Sequence, residues 1–584
     1  MSRYIFSSNF DSFDLMNNQK KITLSTTWAT IRAYNKINFN STICYNDGSN
    51  WIVGVGSFIY KSKSGEEALS MIISEFSVKK IPDLKKEIRG IYSFAIYKNE
   101  VVYFFNDYYG LFETIFGIVE EKGYFVGTNW ADIIPNLPKC DINEFPFMLH
   151  CFAYGNFSNE GLVRGSFKLA GNEYLIAKKD KLEKIIIDES EYSISIPKFS
   201  DENQAINYLM SQIGDVVSDI KYCYGPSTLS ITGGLDSRLV LGALTHESGN
   251  LNKLIYGESK SFLLSTHPED KKIAQELSVL SNIPLNIYDW TNPEAKNGID
   301  LEWQKKLFSE VGFFNTPYGG NRLFVETVTD PKNGPYIEFG YFLEAIRTRD
   351  WVDSKKGQTF SIDDYVNNVY SFLNKLPYDN KDSFIIWLKE LFKTKTAKLG
   401  ISNYDSIPLS MVNEIEWIFR ERISDSGMHR FLNYYMYAFP IFSVPQIHEF
   451  IIKLPHEILK KGKLQISLIR ALNPQLLECG VLSHRRKYKI NKNNEKILRH
   501  NFKNIVSLLR YQMPWLYKII LSNYQSRKYR STPKFNKAFI DEISSLKGDK
   551  YNFFDIGQYE GDVSSLLKFR QAILAFNYSA VNEE

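Results

Sequence analysis

The sequence predicts an α/β protein in which a β-rich first part precedes a doubly wound parallel sheet with a helical C-terminal part. Three patterns carry this prediction. Residues 20–190 form short apolar runs broken by Gly, Asn and Asp, and residues 227–290 alternate strand and helix patterns. From about residue 365 onward, Leu, Ile and Phe recur at helical spacing.

The first part contains the runs IYSFAIY, VVYFFND and GYFVGTN, at 91–97, 101–107 and 123–129, which are typical of antiparallel strands. A polar turn, KKDK at 178–181, separates two further strands. Near residue 195 the pattern becomes polar, and Ser200 or Asp201 then precedes a predicted helix. We therefore expect domains at 1–195 and 196–584.

The second domain begins with the strand STLSIT at 227–232, a glycine turn and a helix predicted to end at Gly249. A second strand, NKLIYG, is followed by a helix with Thr266 and Glu269 as a capping box and Pro268 in its first turn. PLNIYDW forms a third strand. In parallel sheets of this kind, ligands bind at the carboxyl ends of the strands.

Composition limits the function classes. The 584 residues carry a formal net charge of only +4 with dispersed Lys and Arg, so we expect no nucleic-acid partner. Five scattered cysteines without a CxxC pair indicate a reducing compartment. No membrane-length apolar run and no signal-peptide pattern occur, which predicts a cytoplasmic protein without a membrane partner. Homo-oligomer formation is left open.

The glycine turn ITGGLDS, at 231–237, has the chemistry of an anion site. Gly233 and Gly234 let backbone N–H groups approach a ligand, and Thr232 and Ser237 add hydroxyls at a helix N-terminus. Asp236 and a phosphate are both negatively charged, so a divalent cation would have to lie between them. Mg²⁺ suits that role. The alternative is a plain turn with Asp236 as helix cap. A Walker A loop is excluded because no GK[ST] follows.

T-G-G-L-D-S resembles the S-G-G-x-D-S pyrophosphate loop of N-type ATP pyrophosphatases, and its setting resembles the asparagine synthetase family, which includes β-lactam synthetases and lasso peptide cyclases. The resemblance implies a glutaminase-like sandwich of the N-terminal-nucleophile hydrolase type, then an ATP-pyrophosphatase domain. It also implies ATP and Mg²⁺ as cofactors. The implied ATP contacts are Leu229, Thr232, Gly233, Gly234, Asp236, Ser237, Tyr256 and Gly257.

Four further segments extend the resemblance. Residues 267–290 match the helix and strand after the loop, and residues 439–477 resemble the family's late helical stretch. The stretch at 88–117 is similar to part of the family's glutaminase domain, and SHRRKYK at 483–489 is similar to its lysine-containing active-site segment. Lys487 matches the lysine that stabilises charge as the acyl group is transferred. Arg485 or Arg486 is the alternative inward-facing cation, and a solvated basic face is the other interpretation.

The N-terminal domain departs from the glutamine-dependent members, which begin Met-Cys. This chain begins Met-Ser, and Asn106 stands where the family's arginine is expected. Ser2 has the hydroxyl of an N-terminal nucleophile, but its surroundings do not resemble the family's start. We expect a catalytically degenerate glutaminase-like domain.

A second departure lies in YIEFGYFLEAI, at 336–346, where the family has a G-x-G-x-D-E-like turn. Aligned on Gly340, Glu344 takes the place of the magnesium-binding Asp. Tyr341 takes the place of a tyrosine in β-lactam synthetases and implies a general base for an attacking amine. The alternative is that Tyr341 belongs to a buried aromatic cluster. Ser443 also replaces an Asp of the family.

These features predict an ATP-dependent ligase that adenylates a carboxylate and transfers the acyl group to an amine or ammonia, with lactam or macrolactam closure as one form. The carboxylate substrate is a small molecule or a peptide. One alternative is a glutamine-hydrolysing amidotransferase of the asparagine synthase type. A tRNA-modifying enzyme and a non-enzymatic, degenerate synthetase that binds a partner are the others.

Overall fold

The computed structural model describes most of the chain up to residue 497. The described residues are 3–8, 21–39, 41, 43–77, 80–119, 123–134, 137, 141–153, 155–197, 199, 201–246, 251–258, 268–291, 303, 322–343, 346, 358–370, 380–459, 462–483, 486–488, 490–491 and 496–497.

The first part is built mainly from strands. These are β1 (Arg3–Ser7), β2 (Lys21–Ser25), β3 (Thr30–Tyr34), β4 (Cys44–Asn46), β5 (Trp51–Ile59), β6 (Arg89–Lys98), β7 (Val101–Asn106), β8 (Ile115–Val119), β9 (Gly123–Gly127), β10 (Ser166–Lys168), β11 (Glu173–Lys178) and β12 (Lys181–Ile186). The helices are α1 (Gly65–Glu75), α2 (Ile81–Glu87), α3 (Trp130–Ile133), α4 (Glu144–Phe152) and α5 (Glu189–Tyr192).

These strands form two antiparallel sheets, in the orders β10-β8-β9-β1-β3-β2 and β12-β11-β7-β6-β5-β4. The sheets pack face to face, and Phe6 of one meets Phe104 of the other edge to face with ring centroids 5.0 Å apart. Helices α1 and α2 cover the outer face of the second sheet. Helices α3 and α4, with part of the C-terminal region, cover the first.

The second part begins with a parallel sheet and its helices. The strands are β13 (Ser227–Ser230), β14 (Leu251–Glu258), β15 (Leu285–Asp289) and β16 (Tyr336–Glu338), and the helices are α6 (Glu202–Tyr224), α7 (Leu235–Thr245), α8 (Pro268–Ser281) and α9 (Arg322–Val328). The order is β15-β14-β13-β16, and every neighbouring pair is parallel. The predicted combination of antiparallel sheets and a parallel sheet is therefore confirmed.

The rest of the described chain is largely helical. Its helices are α10 (Ile362–Val369), α11 (Lys381–Thr396), α12 (Val412–Glu416), α13 (Arg422–Leu432), α14 (Pro445–Ile452), α15 (His456–Leu459) and α16 (Lys463–Leu472). Short strand pairs are β17 (Thr359–Phe360) with β18 (Ile407–Pro408), β19 (Val481–Ser483) with β20 (Arg486–Tyr488), and β21 (Ile490–Asn491) with β22 (Lys496–Ile497). Within the described ranges, no helix has both the length and the apolar character needed to cross a bilayer.

Element boundaries differ from the predictions in a few places. Asp201 caps α6 by accepting a hydrogen bond from Asn203 N at 2.8 Å. The helix predicted to reach Gly249 ends at Thr245, because His246 is already extended. Strand β16 was not predicted, since three residues are too few to show a strand period. Thr266 and Ser200 lie outside the described residues.

Candidate functional site: the glycine turn of the parallel sheet

The glycine turn lies at the carboxyl end of the inner strand β13. Its neighbours are β14 on one side and β16 on the other, so the strand order reverses here. Ile231 N continues the ladder by donating to Ile255 O at 2.9 Å, and α7 starts at Leu235. In open parallel sheets the crevice at such a switch point is the ordinary ligand site.

Hydrogen bonds of the Thr232 and Ser237 hydroxyls connect the two ends of the turn. Ser237 Oγ accepts a hydrogen bond from Thr232 N at 3.0 Å and lies 3.0 Å from Thr232 Oγ1. Thr232 is exposed, whereas Ser237 is buried. The two hydroxyls that the sequence analysis placed in one concavity are therefore in direct contact.

The two glycines have different surroundings. Gly233 N donates to Asp270 Oδ1 of α8 at 2.6 Å, and a Cβ on Gly233 would lie 2.8 Å from that oxygen. A Cβ on Gly234 would have only Thr232 Oγ1, at 3.5 Å, as a neighbour within 4 Å among the described atoms. Gly234 has φ −77°, which any residue adopts. The space beside Gly234 is therefore open, whereas the Gly233 N–H already has a carboxylate as its acceptor.

Asp236 lies in the first turn of α7, and Gly234 is the N-cap, so the interpretation of Asp236 as the helix cap is wrong. The Asp236 carboxylate is half-buried. Its Oδ1 accepts a hydrogen bond from Gln465 Nε2 of α16 at 2.5 Å. Gln465 thereby fixes the orientation of a carboxylate at the mouth of the turn.

The remaining implied ATP contacts lie on the strands. Leu229 and Tyr256 are buried in β13 and β14. A Cβ on Gly257 would stand 1.9 Å from the Trp290 ring, so this glycine makes room for a tryptophan. Of these residues, Gly257 has a packing function that the sequence pattern did not reveal.

The segment after β16 packs directly on the turn. A Cβ on Gly340 would lie 2.5 Å from Ser237 N and 2.9 Å from the carbonyl carbon of Asp236, so only glycine fits. Phe342, at the second glycine of the G-x-G pattern, has φ +61°. This conformation is costly for a bulky residue, and Phe342 N is held by Asp425 Oδ2 at 2.8 Å.

Tyr341 therefore follows directly after a residue in contact with the turn. Its ring is half-buried, stacks on Phe339 at 5.6 Å and meets His429 edge to face at 5.5 Å. Burial lowers the pKa of His429 to about 4, so the imidazole is neutral at physiological pH. Tyr341 belongs to an aromatic cluster and also adjoins the turn. Glu344 lies outside the described residues.

A buried acid was not foreseen. Glu338, at the end of β16, is fully buried, and burial raises the pKa of its carboxyl to about 8. The Tyr336 hydroxyl lies 2.5 Å from Glu338 Oε2 and 2.6 Å from Phe439 O. The Tyr336 hydroxyl has one hydrogen, so it can donate to only one of these two oxygens. Both contacts are hydrogen bonds when Tyr336 donates to Phe439 O and the protonated Glu338 carboxyl donates to the Tyr336 oxygen.

Lys487 lies on the hairpin of β19 and β20, where its backbone pairs with Leu482. Arg238 of α7 ties the chain just before this hairpin to the turn. It donates to Leu476 O at 3.0 Å and Gly480 O at 2.7 Å. The segment that carries Lys487 and Arg486 is therefore anchored to the helix that the glycine turn begins, and Arg485 lies outside the described residues.

Several polar side chains of the first part are buried inside the protein. Arg3 of β1 is fully buried and pairs with Asp132, Nε to Oδ2 3.1 Å. Asn106 is buried, accepts a hydrogen bond from Lys85 Nζ at 3.2 Å and donates to Leu169 O at 3.0 Å. Ser2 lies outside the described residues. Ser443, buried in a short helical turn, donates to Pro440 O at 2.7 Å.

Two residues near the turn were missed, Asp270 and Gln465. Asp270 could have been noticed in the sequence, since it stands in the first turn of a predicted helix, whereas nothing in the sequence pointed to Gln465.

In the described part of the chain, no three His, Cys, Asp or Glu side chains are grouped as metal ligands. The predicted magnesium ligand Glu344 falls outside that part.

No protein-family profile matches the chain. No curated protein matches it either. Among solved structures it is similar to the glutamine phosphoribosylpyrophosphate (PRPP) amidotransferase from B. subtilis complexed with ADP and GMP, with 14% identity, 44% of this chain and 51% of that chain covered, and a TM-score of 0.19. It is also similar to "the allosteric regulatory enzyme of purine biosynthesis", with 10% identity, 39% and 54% coverage, and a TM-score of 0.21. The chain spans about half the length of these two proteins.

Proposed function

We propose that the chain is an ATP-dependent carbon–nitrogen ligase of the asparagine synthetase type, which adenylates a carboxylate and transfers the acyl group to an amine. The observation that carries the proposal is the glycine turn at the switch point of the parallel sheet, with its T-G-G-L-D-S sequence. Such a turn places backbone N–H groups and the positive end of a helix at a ligand crevice.

In this proposal the turn holds the phosphates of ATP. The N–H groups of Gly233 and Gly234 and the hydroxyls of Thr232 and Ser237 are the donors, and the open space beside Gly234 takes a phosphate oxygen. Asp236 and Glu344 would hold Mg²⁺, with Gln465 orienting Asp236. ATP supplies the phosphoanhydride whose cleavage activates the carboxylate.

Acyl transfer would use residues at the rim of the same crevice. Tyr341 would accept the proton of the attacking amine, since it adjoins Gly340 on the turn. Lys487 would stabilise the oxyanion and the departing phosphate. The tie from Arg238 to the chain before the hairpin supports this role for Lys487.

The amine would come from solution or from the substrate itself. The first domain, 1–195, would act as a scaffold, since Asn106 stands where the family's arginine is expected.

The test is release of pyrophosphate and AMP from Mg·ATP with a panel of carboxylates, aspartate included, each with ammonia, glutamine or no added amine. Release that depends on one carboxylate supports the ligase. Product formed with glutamine, together with release of glutamate, would instead indicate the glutamine-hydrolysing amidotransferase. Release without any carboxylate dependence would contradict both.

One observation favours a second candidate, a degenerate synthetase that binds a partner without catalysis. The carboxylate of Asp270 occupies the Gly233 N–H that a phosphate would use. Under the ligase proposal this carboxylate moves aside or joins the metal site when ATP binds. Absence of Mg·ATP binding by the full chain would favour the degenerate synthetase.

A further inference from the structure

A second polar cavity lies far along the chain from the glycine turn, between the β-sandwich and α13. Its walls are residues 109–111, 113, 156–159 and 168–170 of the first part, His150 of α4, and the face of α13 that carries Arg422 and Arg430. Its volume is about 40 Å³. That is room for roughly three water molecules or one small ion.

The charges around this cavity are unequal. Glu113 is shared by two cations, with Arg430 Nη1 2.7 Å from Oε2 and Lys168 Nζ 3.8 Å from Oε1. The third cation, Arg422, hydrogen-bonds a neutral acceptor, Tyr109 O, at 3.3 Å. The described lining thus has three cations and Glu113 as its carboxylate.

One of these cations has an unused donor. Arg422 Nε is shielded from solvent and has no hydrogen-bond acceptor among the described residues. A buried guanidinium N–H without an acceptor is unfavourable, since it has lost water and gained no partner. The side chains of Lys168, Arg430 and Glu113 keep 13%, 17% and 22% of their surface exposed, so a small solute has access.

Neighbouring charged groups also act on this cavity. Lys395 donates to Asn159 Oδ1 at the cavity wall, and burial together with Arg422 and Lys168 lowers its pKa to about 7. Burial lowers the pKa of Lys168 to about 8, with Arg430 and Arg422 adding to the effect and Glu113 opposing it. A further negative charge acts on Arg422 from Asp107, whose carboxylate also accepts hydrogen bonds from the N–H groups of residues 109, 111 and 112.

We infer that this cavity binds a small oxyanion, with Lys168, Arg422 and Arg430 as its ligands. Guanidinium groups match the oxygen geometry of phosphate and carboxylate, and a volume of about 40 Å³ suits one small oxyanion group. The bound anion would accept from Arg422 Nε and balance the excess of positive charge. This site is separate from the glycine turn and does not depend on the proposed ligase.

The experiment is calorimetric titration of the full chain with inorganic phosphate and with acetate, at ionic strength fixed with sodium chloride. We expect Arg430→Gln to weaken binding of the preferred anion at least about tenfold. Glu113→Gln should tighten it, because the competing carboxylate is gone. Arg164→Gln, which removes an exposed arginine elsewhere on the sandwich, should leave binding unchanged.

Preference for phosphate assigns the site to phosphate, and preference for acetate assigns it to a carboxylate group. If Arg430→Gln does not fold, the test uses Lys168→Gln and Glu113→Gln. Lys168→Gln should weaken anion binding, and Glu113→Gln should tighten it. The inference is overturned if neither anion binds at millimolar concentration. Anion binding that these substitutions leave unchanged would overturn it too.

Discussion

The glycine turn and the start of β1 are the two places where the family resemblance expects chemistry, and they differ in how their polar groups are used. At the turn, Thr232 is exposed, Gly234 and Asp236 are half-buried, and space remains beside Gly234. At β1, Arg3 is fully buried against Asp132, and burial, opposed by Arg3, raises the pKa of that carboxyl to about 6.

Accessibility distinguishes the proposed site at the turn from the proposed scaffold at β1. Both regions contain paired polar groups, but at β1 the Arg3–Asp132 ion pair is sealed in the interior. Those of the turn are held in position while one side stays accessible to a solute. Binding sites need this combination of fixed geometry and access.

The largest expected effect comes from removing the negative charge of Asp236 while the shape of the turn is kept. Asp236→Asn keeps the size of the side chain but removes the charge that would hold Mg²⁺. We expect pyrophosphate release to fall by roughly a hundredfold or more. The matched control is Asp215→Asn on the exposed side of α6, which should retain full activity. Normal turnover in Asp236→Asn would remove the metal assignment.

The next effect tests the packing of the segment after β16 on the turn. Gly340→Ala places a methyl 2.5 Å from Ser237 N, so we expect a loss of about 1–3 kcal/mol in unfolding free energy, with loss of ATP turnover. Gly214→Ala in α6 meets no described atom within 4 Å. It should stabilise the protein by about 0.5–1 kcal/mol. Equal behaviour of the two variants in denaturant melts would contradict the contact.

A pH-dependent effect is expected from Glu338. Because its folded pKa is raised, its contribution to stability is complete below 4.5 and is lost as pH rises through about 8. Glu338→Gln imitates the protonated acid and does not titrate. Its unfolding free energy relative to wild type should therefore rise with pH in that window, by at most about 1.4 kcal/mol per unit.

The exposed Glu66→Gln is the control for this series, and its difference from wild type should stay flat with pH. A flat difference for Glu338→Gln as well would mean that Glu338 is ionised in the folded protein.

The smallest effect is expected at the other region of the comparison. Ser2→Ala should change ammonia- or amine-dependent product formation by less than about twofold, because the first domain is proposed to be a scaffold. Initial rates with ammonia and with glutamine would be compared in the same preparation. A loss confined to the glutamine reaction would show that the domain is a working glutaminase.

Local features of the site could be predicted from the sequence. The turn, the helix after it and the proximity of Thr232 and Ser237 depend on residues within one short stretch. Partners that come from elsewhere could not. Asp270 and Gln465 reach the turn from 37 and 229 positions away, and their contacts exist only once the helices pack.

The same distinction applies to the fold. Strands with clear alternation and helices with clear caps were predicted, whereas β16 was too short for its pattern to show. Glu338 also gave no signal, because a single Glu in an apolar strand is indistinguishable in sequence from one at an exposed strand end. Its burial follows from β16 packing beside β13 and from its contact with Tyr336.

The most direct test of the central claim is Mg·ATP binding by the wild-type chain and by Gly234→Ala. The added methyl meets only Thr232 Oγ1 at 3.5 Å, so the variant should fold with at most about 1 kcal/mol lost, but the methyl occupies the space proposed for phosphate. We predict that calorimetry finds binding to wild type and at least tenfold weaker binding to the variant. Equal affinity for both, or no binding to either, would contradict the account.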